Sequence, residues 1–159
     1  MLVSEMIAQI KDQVHDISNE FSDDLLIKFI NTAIKSASYL LANVNHNSVM
    51  AQITVTSGSP IPADFIKFAG QYPVTLIQGV FDIYDTRINS LDVTYYEAKP
   101  SVALVTDTIP FTDELTLLYI EQYASILALN RDEANVGADE QIITALKNEY
   151  ISTVTGIKG

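Results

Sequence analysis

The chain carries few of the side chains that usually perform catalysis or bind metal ions. It contains two histidines, His15 and His46, and no cysteine. A metal site generally needs several imidazole or thiolate ligands close together. His15, however, lies among polar positions of the first predicted helix, and His46 lies in the asparagine-rich loop "NVNHNS". We therefore interpret both as ordinary polar side chains and predict no metal ligand, no cofactor and no catalytic residue.

Neighbouring carboxylates are the second possible source of chemistry. They occur as the pairs Asp23–Asp24, Asp113–Glu114, Asp132–Glu133 and Asp139–Glu140. Glycoside hydrolysis requires two carboxyl groups on opposite sides of a cleft, which adjacent residues do not provide. Three of these pairs stand where a helix is predicted to begin, and the helix dipole stabilises negative charge there. The sequence also lacks a phosphate-binding glycine motif, so we predict that the protein is not an enzyme.

The composition is that of an acidic globular protein. The 159 residues are 48% hydrophobic and carry a net charge of −11, which favours one domain with a single core. Affinity for DNA comes mostly from cations that face phosphates, so the chain is a poor candidate for holding nucleic acid, and solubility is the simplest explanation of its charge. It begins without the features of a signal sequence and has no apolar stretch long enough to span a membrane. We expect a soluble, unprocessed protein with no membrane partner.

Both ends of the chain show the apolar spacing of amphipathic helices. We predict a helical bundle from residues 1–45 and 111–155, with two helices from each end. Ser22 and Thr112 are the predicted N-caps of the second and third helices, because acidic residues follow each of them. The last helix is predicted from about Ala138 to Val154. The predicted apolar stripes include Val3, Ile10, Val14, Ile17 and Phe21 in the first helix, Leu115, Leu118, Tyr119, Tyr123 and Leu129 in the third, and Ile142, Leu146 and Tyr150 in the last.

The middle of the chain, residues 49–98, changes to the two-residue period of β-strands. "SVMAQITVTSG", "PVTLIQGVFDIYD" and "INSLDVTYYEA" are each predicted as a strand, in a small antiparallel sheet of three or four strands. Tyr95 and Tyr96 are adjacent on the last strand and must point to opposite faces, so one can lie in the core and the other outside. The predicted fold class is α+β, mostly α: a helical bundle with an inserted β region. Residues 97–111 are either an extended arm that reaches another subunit or a plain crossover from the sheet to the bundle.

An ordered succession of motifs resembles the head-to-tail connector, or adaptor, proteins of tailed bacteriophages. The motifs are a helix that opens on Ser-Asp-Asp and continues with "INTA"; a proline followed by an acid and an aromatic residue (Pro62, Asp64, Phe65); paired tyrosines before a proline (Tyr95, Tyr96, Pro100); and Pro110 ahead of a helix with "YIEQYASILA". Each motif alone is weak, and their order carries the resemblance.

The resemblance implies a structural virion protein. Members of that family form a ring, usually dodecameric, beneath the portal, and extend the channel through which DNA leaves the capsid. The implied partners are a portal protein, a tail or nozzle protein and further copies of the chain, with DNA passing through without specific binding. The implied location is the neck of the virion, and the host cytoplasm during assembly. The numbered residues of the motifs (Pro62, Asp64, Phe65, Tyr95, Tyr96, Pro100 and Pro110) are the candidate interface residues.

Other functions remain open from the sequence. The chain could be a different neck or tail protein of a phage. It could also be an acidic, monomeric regulatory or inhibitory protein that mimics nucleic acid, although its carboxylates favour helix starts over a regular row. A small enzyme with an unrecognised carboxylate site is a third possibility. If the chain does form a ring, carboxylates lining the channel would repel phosphates and let DNA slide.

Overall fold

The computed structural model describes residues 1–15, 20–130 and 136–156 and confirms an α+β fold that is mostly helical. The helices in these ranges are α1 (Val3–Gln13), α2 (Asp23–Asn43), α3 (Glu114–Asn130) and α4 (Val136–Thr155), and a short 3₁₀ helix spans Asn47–Val49. The strands are β1 (Met50–Thr56), β2 (Phe65–Phe68), β3 (Val74–Ile77), β4 (Val80–Ile83) and β5 (Ser90–Glu97). Where the sequence suggested one domain, the chain forms two compact units. We call residues 1–40 with 100–159 the helical unit, and residues 41–99 the β unit.

The helical unit buries Val3 and Ile10 of the stripe predicted for α1, but the predicted lengths and stripes are not all correct. α1 ends at Gln13, so Val14 lies in the following turn and Phe21 lies before α2 instead of in α1; Ile17 is outside the described residues. Three predicted core residues of the later helices are about half exposed: Leu118, Leu129 and Ile142. Tyr119, Tyr123 and Tyr150 are buried as predicted. The predictions for Leu118 and Leu129 fail because α3 is apolar on nearly every side, which leaves its periodicity without a clear direction.

The caps of α2 and α3 follow different residue types. Ser22 caps α2 as predicted, since its Oγ accepts a hydrogen bond from the Leu25 N–H at 3.2 Å. The prediction for α3 is wrong by one residue: the cap is Asp113, whose Oδ2 accepts from the Thr116 N–H at 2.9 Å. A carboxylate is a stronger acceptor than a hydroxyl at the positive end of a helix, which explains why Asp113 takes this position instead of Thr112.

Helix α2 is long and apolar enough to cross a membrane by length and composition alone, which the sequence analysis did not anticipate. Half of its most apolar window is buried inside the structure. A buried core helix meets the same criterion, so α2 is at most a weak indication of a membrane.

The β unit contains two antiparallel sheets in place of the single predicted one. β1, β5 and β2 form a three-stranded sheet in the order β1–β5–β2, and β3 pairs with β4. The stretch "PVTLIQGVFDIYD" is therefore a hairpin and not one strand: it turns at Gln78 and Gly79, whose φ angles of 50° and 81° are those of a tight two-residue turn. β2 was not predicted at all. The buried core of this unit consists of Val55, Val74, Phe81, Ile83 and Val93.

The segment after β5 is a crossover that is bonded to its own chain. The main-chain N–H groups of Val3 and Ser4, at the start of α1, donate to the carbonyl oxygens of Asp107 and Val105, both at 2.9 Å. A helix leaves its first N–H groups without partners inside the helix, and the crossover supplies those partners. Asp107 also folds the crossover on itself, because its carboxylate accepts hydrogen bonds from the N–H groups of Ala103 and Leu104. These bonds hold the pKa of Asp107 below its usual range.

Asn31 of α2 is hydrogen-bonded to the same crossover. Its side-chain amide donates to the Val102 carbonyl oxygen and accepts from the Val102 N–H, both at 2.8 Å. Residues 102–109 are therefore hydrogen-bonded within the helical unit, as expected of a crossover segment.

Candidate interaction surfaces

Several of the residues that could have done chemistry serve local structure. His15 is exposed in the turn after α1, and the Nδ1 of His46 accepts from the Ser48 N–H at the start of the 3₁₀ helix. Asp23 and Asp24 lie in the first turn of α2, and Asp113 caps α3. Asp132–Glu133 is outside the described residues. Within the described ranges, no three histidine or carboxylate side chains group in a way that could hold a metal ion.

The structure brings five of the seven candidate interface residues together inside the β unit. The ring of Phe65 stacks on the ring of Tyr95 with centroids 5.4 Å apart. The main chain joins the same two segments, since the Asp64 carbonyl oxygen accepts from the Ala98 N–H at 2.7 Å. The Pro62 carbonyl accepts from the Phe65 N–H in the preceding turn. The motif "PADF" therefore packs against the end of β5 within one chain, and its role in contacts between chains stays a prediction.

Both tyrosines of the pair are buried, with 6% of Tyr95 and 5% of Tyr96 exposed, so neither is the solvent-exposed side chain that strand alternation allowed. Tyr95 belongs to the aromatic cluster around Phe65, and burial raises its pKa, with Asp64 and Glu97 adding to the effect. Tyr96 lies on the opposite face beneath Lys67, whose Nζ is 5.3 Å from the ring centroid. The two faces do differ as the alternation of a strand requires, but both are covered.

The two remaining candidates lie at the ends of the crossover in the helical unit. Pro100 is exposed and Pro110 is half-buried. Between them, Val102 and Ile109 are buried. The two prolines therefore stand at the ends of a segment whose side chains Val102 and Ile109 are buried.

A tyrosine network, which we define as Tyr119, Tyr123 and Tyr150, links the helices of the helical unit. The rings of Tyr119 and Tyr150 stack with centroids 4.4 Å apart, and Tyr123 lies 5.8 Å from Tyr119. The hydroxyl of Tyr119 is 2.8 Å from the Ser36 Oγ on α2, and that of Tyr150 is 2.7 Å from the Thr116 Oγ1 on α3. The network gives the hydroxyls of Tyr119 and Tyr150 a partner each and joins α2, α3 and α4.

Burial of the tyrosine network predicts a loss of stability at alkaline pH. Removal from solvent raises the pKa of Tyr150 to about 12 and raises that of Tyr119 further, whereas tyrosines of the unfolded chain ionise near pH 10. The unfolded state therefore loses protons first, so this contribution to stability is complete below about pH 10 and declines as the pH rises towards the folded pKa values.

Urea unfolding at a series of pH values, read together with phenolate absorbance, checks this expectation. We expect the urea concentration at the unfolding midpoint to decrease as the pH is raised above about 10. The decrease should be less steep in Tyr150→Phe, which retains the ring and lacks the titrating group. Native tyrosines that all ionise at the ordinary pH would contradict it.

The outer edge of β3 is exposed, a feature that the sequence did not predict. Leu76 and Ile77 on this strand have 47% and 48% of their area exposed. Leu76 is paired with Phe81, whose own main chain bonds away from β3, to Ser59 and Gly58. Facing residues of an antiparallel pair either exchange both hydrogen bonds or neither, so the N–H and C=O of Leu76 also point away from β4. Within the described chain, neither group has a hydrogen-bond partner.

A second exposed apolar surface is the groove between α3 and α4 in the helical unit. It has a volume of about 350 Å³ and includes Leu129 and Ile142, which are 54% and 50% exposed. Glu149 is the charged residue that lines it. A shallow groove with one carboxylate offers no pair of reactive groups, so it is suited to packing and not to chemistry.

Protein-family models and curated protein sequences were both compared with this chain, and neither gives a match.

Proposed function

We propose that this chain is a structural subunit, a head-to-tail connector of a tailed bacteriophage that assembles with copies of itself into a ring between portal and tail. The identity of the assembly rests on the ordered motifs of the sequence, from the Ser-Asp-Asp start of α2 to Pro110 before α3. The structural observation that carries an assembly role is the distribution of exposed apolar side chains, which mark a strand edge in the β unit and a groove in the helical unit.

Ring formation requires that one face of a subunit binds a different face of its neighbour. Contiguous exposed apolar surface on a soluble protein usually marks such contact sites. Among the described residues, Leu76 with Ile77 and Leu129 with Ile142 give exposed apolar surface in two separate places, and the chain as a whole is acidic. Repulsion between acidic surfaces would oppose random association, so copies would meet through the uncharged surfaces.

Native mass spectrometry of the purified chain, alone and mixed with the portal protein encoded in the same genome, tests the proposal. We expect a stoichiometric complex of many copies, at least when portal is present. A chain that stays monomeric in both samples would contradict a connector and would favour the acidic, monomeric binding protein. An assembly that forms without binding portal would favour a different neck or tail protein.

A further inference from the structure

We infer that neighbouring copies of this chain are joined by main-chain pairing of the outer edge of β3 in one copy with the outer edge of β1 in the next. The inference rests on the proposed function, because it names the contact by which the ring would close. Three features of the described β unit support it: two strand edges without partners, the absence of charge along both of them, and their location on different strands.

β1 has an outer edge of the same kind as that of β3. It is paired on one side only, with β5, in the register that places Gln52 opposite Thr94. The main chain of Thr94 bonds away from β1, since its N–H donates to the Tyr72 hydroxyl and its carbonyl accepts from the Ala69 N–H. By the same alternation, the N–H and C=O of Gln52 point outward. In the part of the chain that the structure describes, neither group has a partner, and the Gln52 side chain is exposed.

Neither strand contains a charged residue or a proline, two of the devices that usually prevent edge-to-edge association. Soluble proteins protect exposed edges with charged side chains, proline or bulges. The sequence has no charged residue from Asn47 to Ala63, which includes β1, or from Phe68 to Phe81, which includes β3. In a chain with a net charge of −11, these are the stretches at which a second copy can approach without meeting a carboxylate on the strand itself.

The charge pattern selects a second copy over other occupants. A basic partner would be attracted to the acidic surface and would gain nothing from an uncharged edge, whereas a copy of the same acidic chain meets less repulsion at such edges than at its charged surface. Because β3 and β1 are different strands, pairing one with the other uses two unlike faces and leaves each copy with one edge available for the next. Pairing of β3 with β3 would close at a dimer and could not build a ring.

Cysteine cross-linking in the assembled protein distinguishes these arrangements, since the natural chain has no cysteine. Gln52→Cys and Leu76→Cys are prepared separately, assembled alone and as an equal mixture, and treated with a short bis-maleimide. We expect a cross-linked dimer of chains in the mixture and little in either variant alone. Leu118→Cys, which is equally exposed at 48% but lies on α3, mixed with Gln52→Cys serves as the matched control and should give no such band.

Leu76→Pro provides a second measurement. It removes an N–H that points away from β4, so the hairpin can keep its own bonds while the contact with the neighbour loses a donor. We expect a folded chain by circular dichroism and at least a tenfold weaker assembly.

The outcomes separate the inference from the function. A ring that forms without the mixed cross-link, or that Leu76→Pro leaves unchanged, overturns the strand pairing and leaves the connector standing. Cross-linking in Leu76→Cys alone establishes β3–β3 pairing and overturns it as well. If no assembly forms with or without portal, the proposed function fails and the pairing fails with it.

Discussion

Replacing Asn31 by alanine is expected to lower the free energy of unfolding by about 2–6 kcal/mol, because the change leaves two main-chain groups without partners. The amide of Asn31 satisfies both the N–H and the C=O of Val102, and Val102 itself is 6% exposed. Each unsatisfied, buried polar group costs about 1–3 kcal/mol. Urea unfolding of the two proteins measures the difference.

The effect should extend from Val102 to the start of α1. The crossover that Asn31 holds also accepts hydrogen bonds from the N–H groups of Val3 and Ser4, so loosening it would expose those amides to solvent. Hydrogen exchange should therefore become faster at Val3 and Ser4. Asn148→Ala is the matched control, since Asn148 is exposed on α4 and its removal should change stability by less than about 0.5 kcal/mol. Equal losses in the two variants would mean that Asn31 does not anchor the crossover.

The bonds of Asn31 were not predictable from the sequence, although the segment that they hold was recognised. Pro100 and Pro110 marked residues 97–111 as non-helical, and the sequence left both an arm and a crossover open. The deciding contacts join residues 71 positions apart, Asn31 and Val102. No local propensity reports such a contact, because it depends on how α2 and the crossover meet in space.

The sequence predicted the start of a helix or a turn best where a few adjacent residues determine it. Ser22 before Asp23 and Asp24 gave the correct start of α2, since capping is a property of a few adjacent residues. The hairpin at Gln78–Gly79 was missed because Asn-Gly and Asp-Gly are the usual markers of this turn, and Gln78 adopts its φ of 50° without that signal. The exposed edge of β3 was missed for the same reason, because β3 was not recognised as a strand separate from β4.

The burial of Tyr95 and Tyr96 shows what the sequence can say about a surface. Strand alternation correctly places the two rings on opposite faces. It does not say what covers each face: Phe65 stacks on Tyr95, and Lys67 lies over Tyr96. Both partners come from β2, the strand that the pattern did not reveal. Phe65, Tyr95 and Tyr96, chosen from sequence motifs as candidate interface residues, thus also pack within the β unit, and their role between chains stays a prediction.

Replacing Tyr119 by alanine is expected to cost about 3–5 kcal/mol in the free energy of unfolding, the range for removing a large aromatic ring from a core. Tyr119 is 2% exposed, and its ring stacks on that of Tyr150 at 4.4 Å. Alanine leaves a cavity at the place where α2, α3 and α4 are joined, and it removes the partner of the Ser36 hydroxyl. Tyr39→Ala is the control: this tyrosine is 42% exposed, and its loss should cost less than about 1 kcal/mol.

Tyr119→Phe separates packing from hydrogen bonding in the same position, and it also keeps the test informative if the alanine variant does not fold. Phenylalanine retains the ring and its stacking and removes only the hydroxyl bonded to Ser36, so we expect a loss of about 1 kcal/mol. Urea unfolding of the wild type and the three variants should therefore give Tyr119→Ala a much lower free energy of unfolding than the other proteins. If Tyr119→Phe were as destabilised as Tyr119→Ala, the hydrogen bond would be the main contribution. If Tyr39→Ala equalled Tyr119→Ala, the tyrosine network would not be the core of the helical unit.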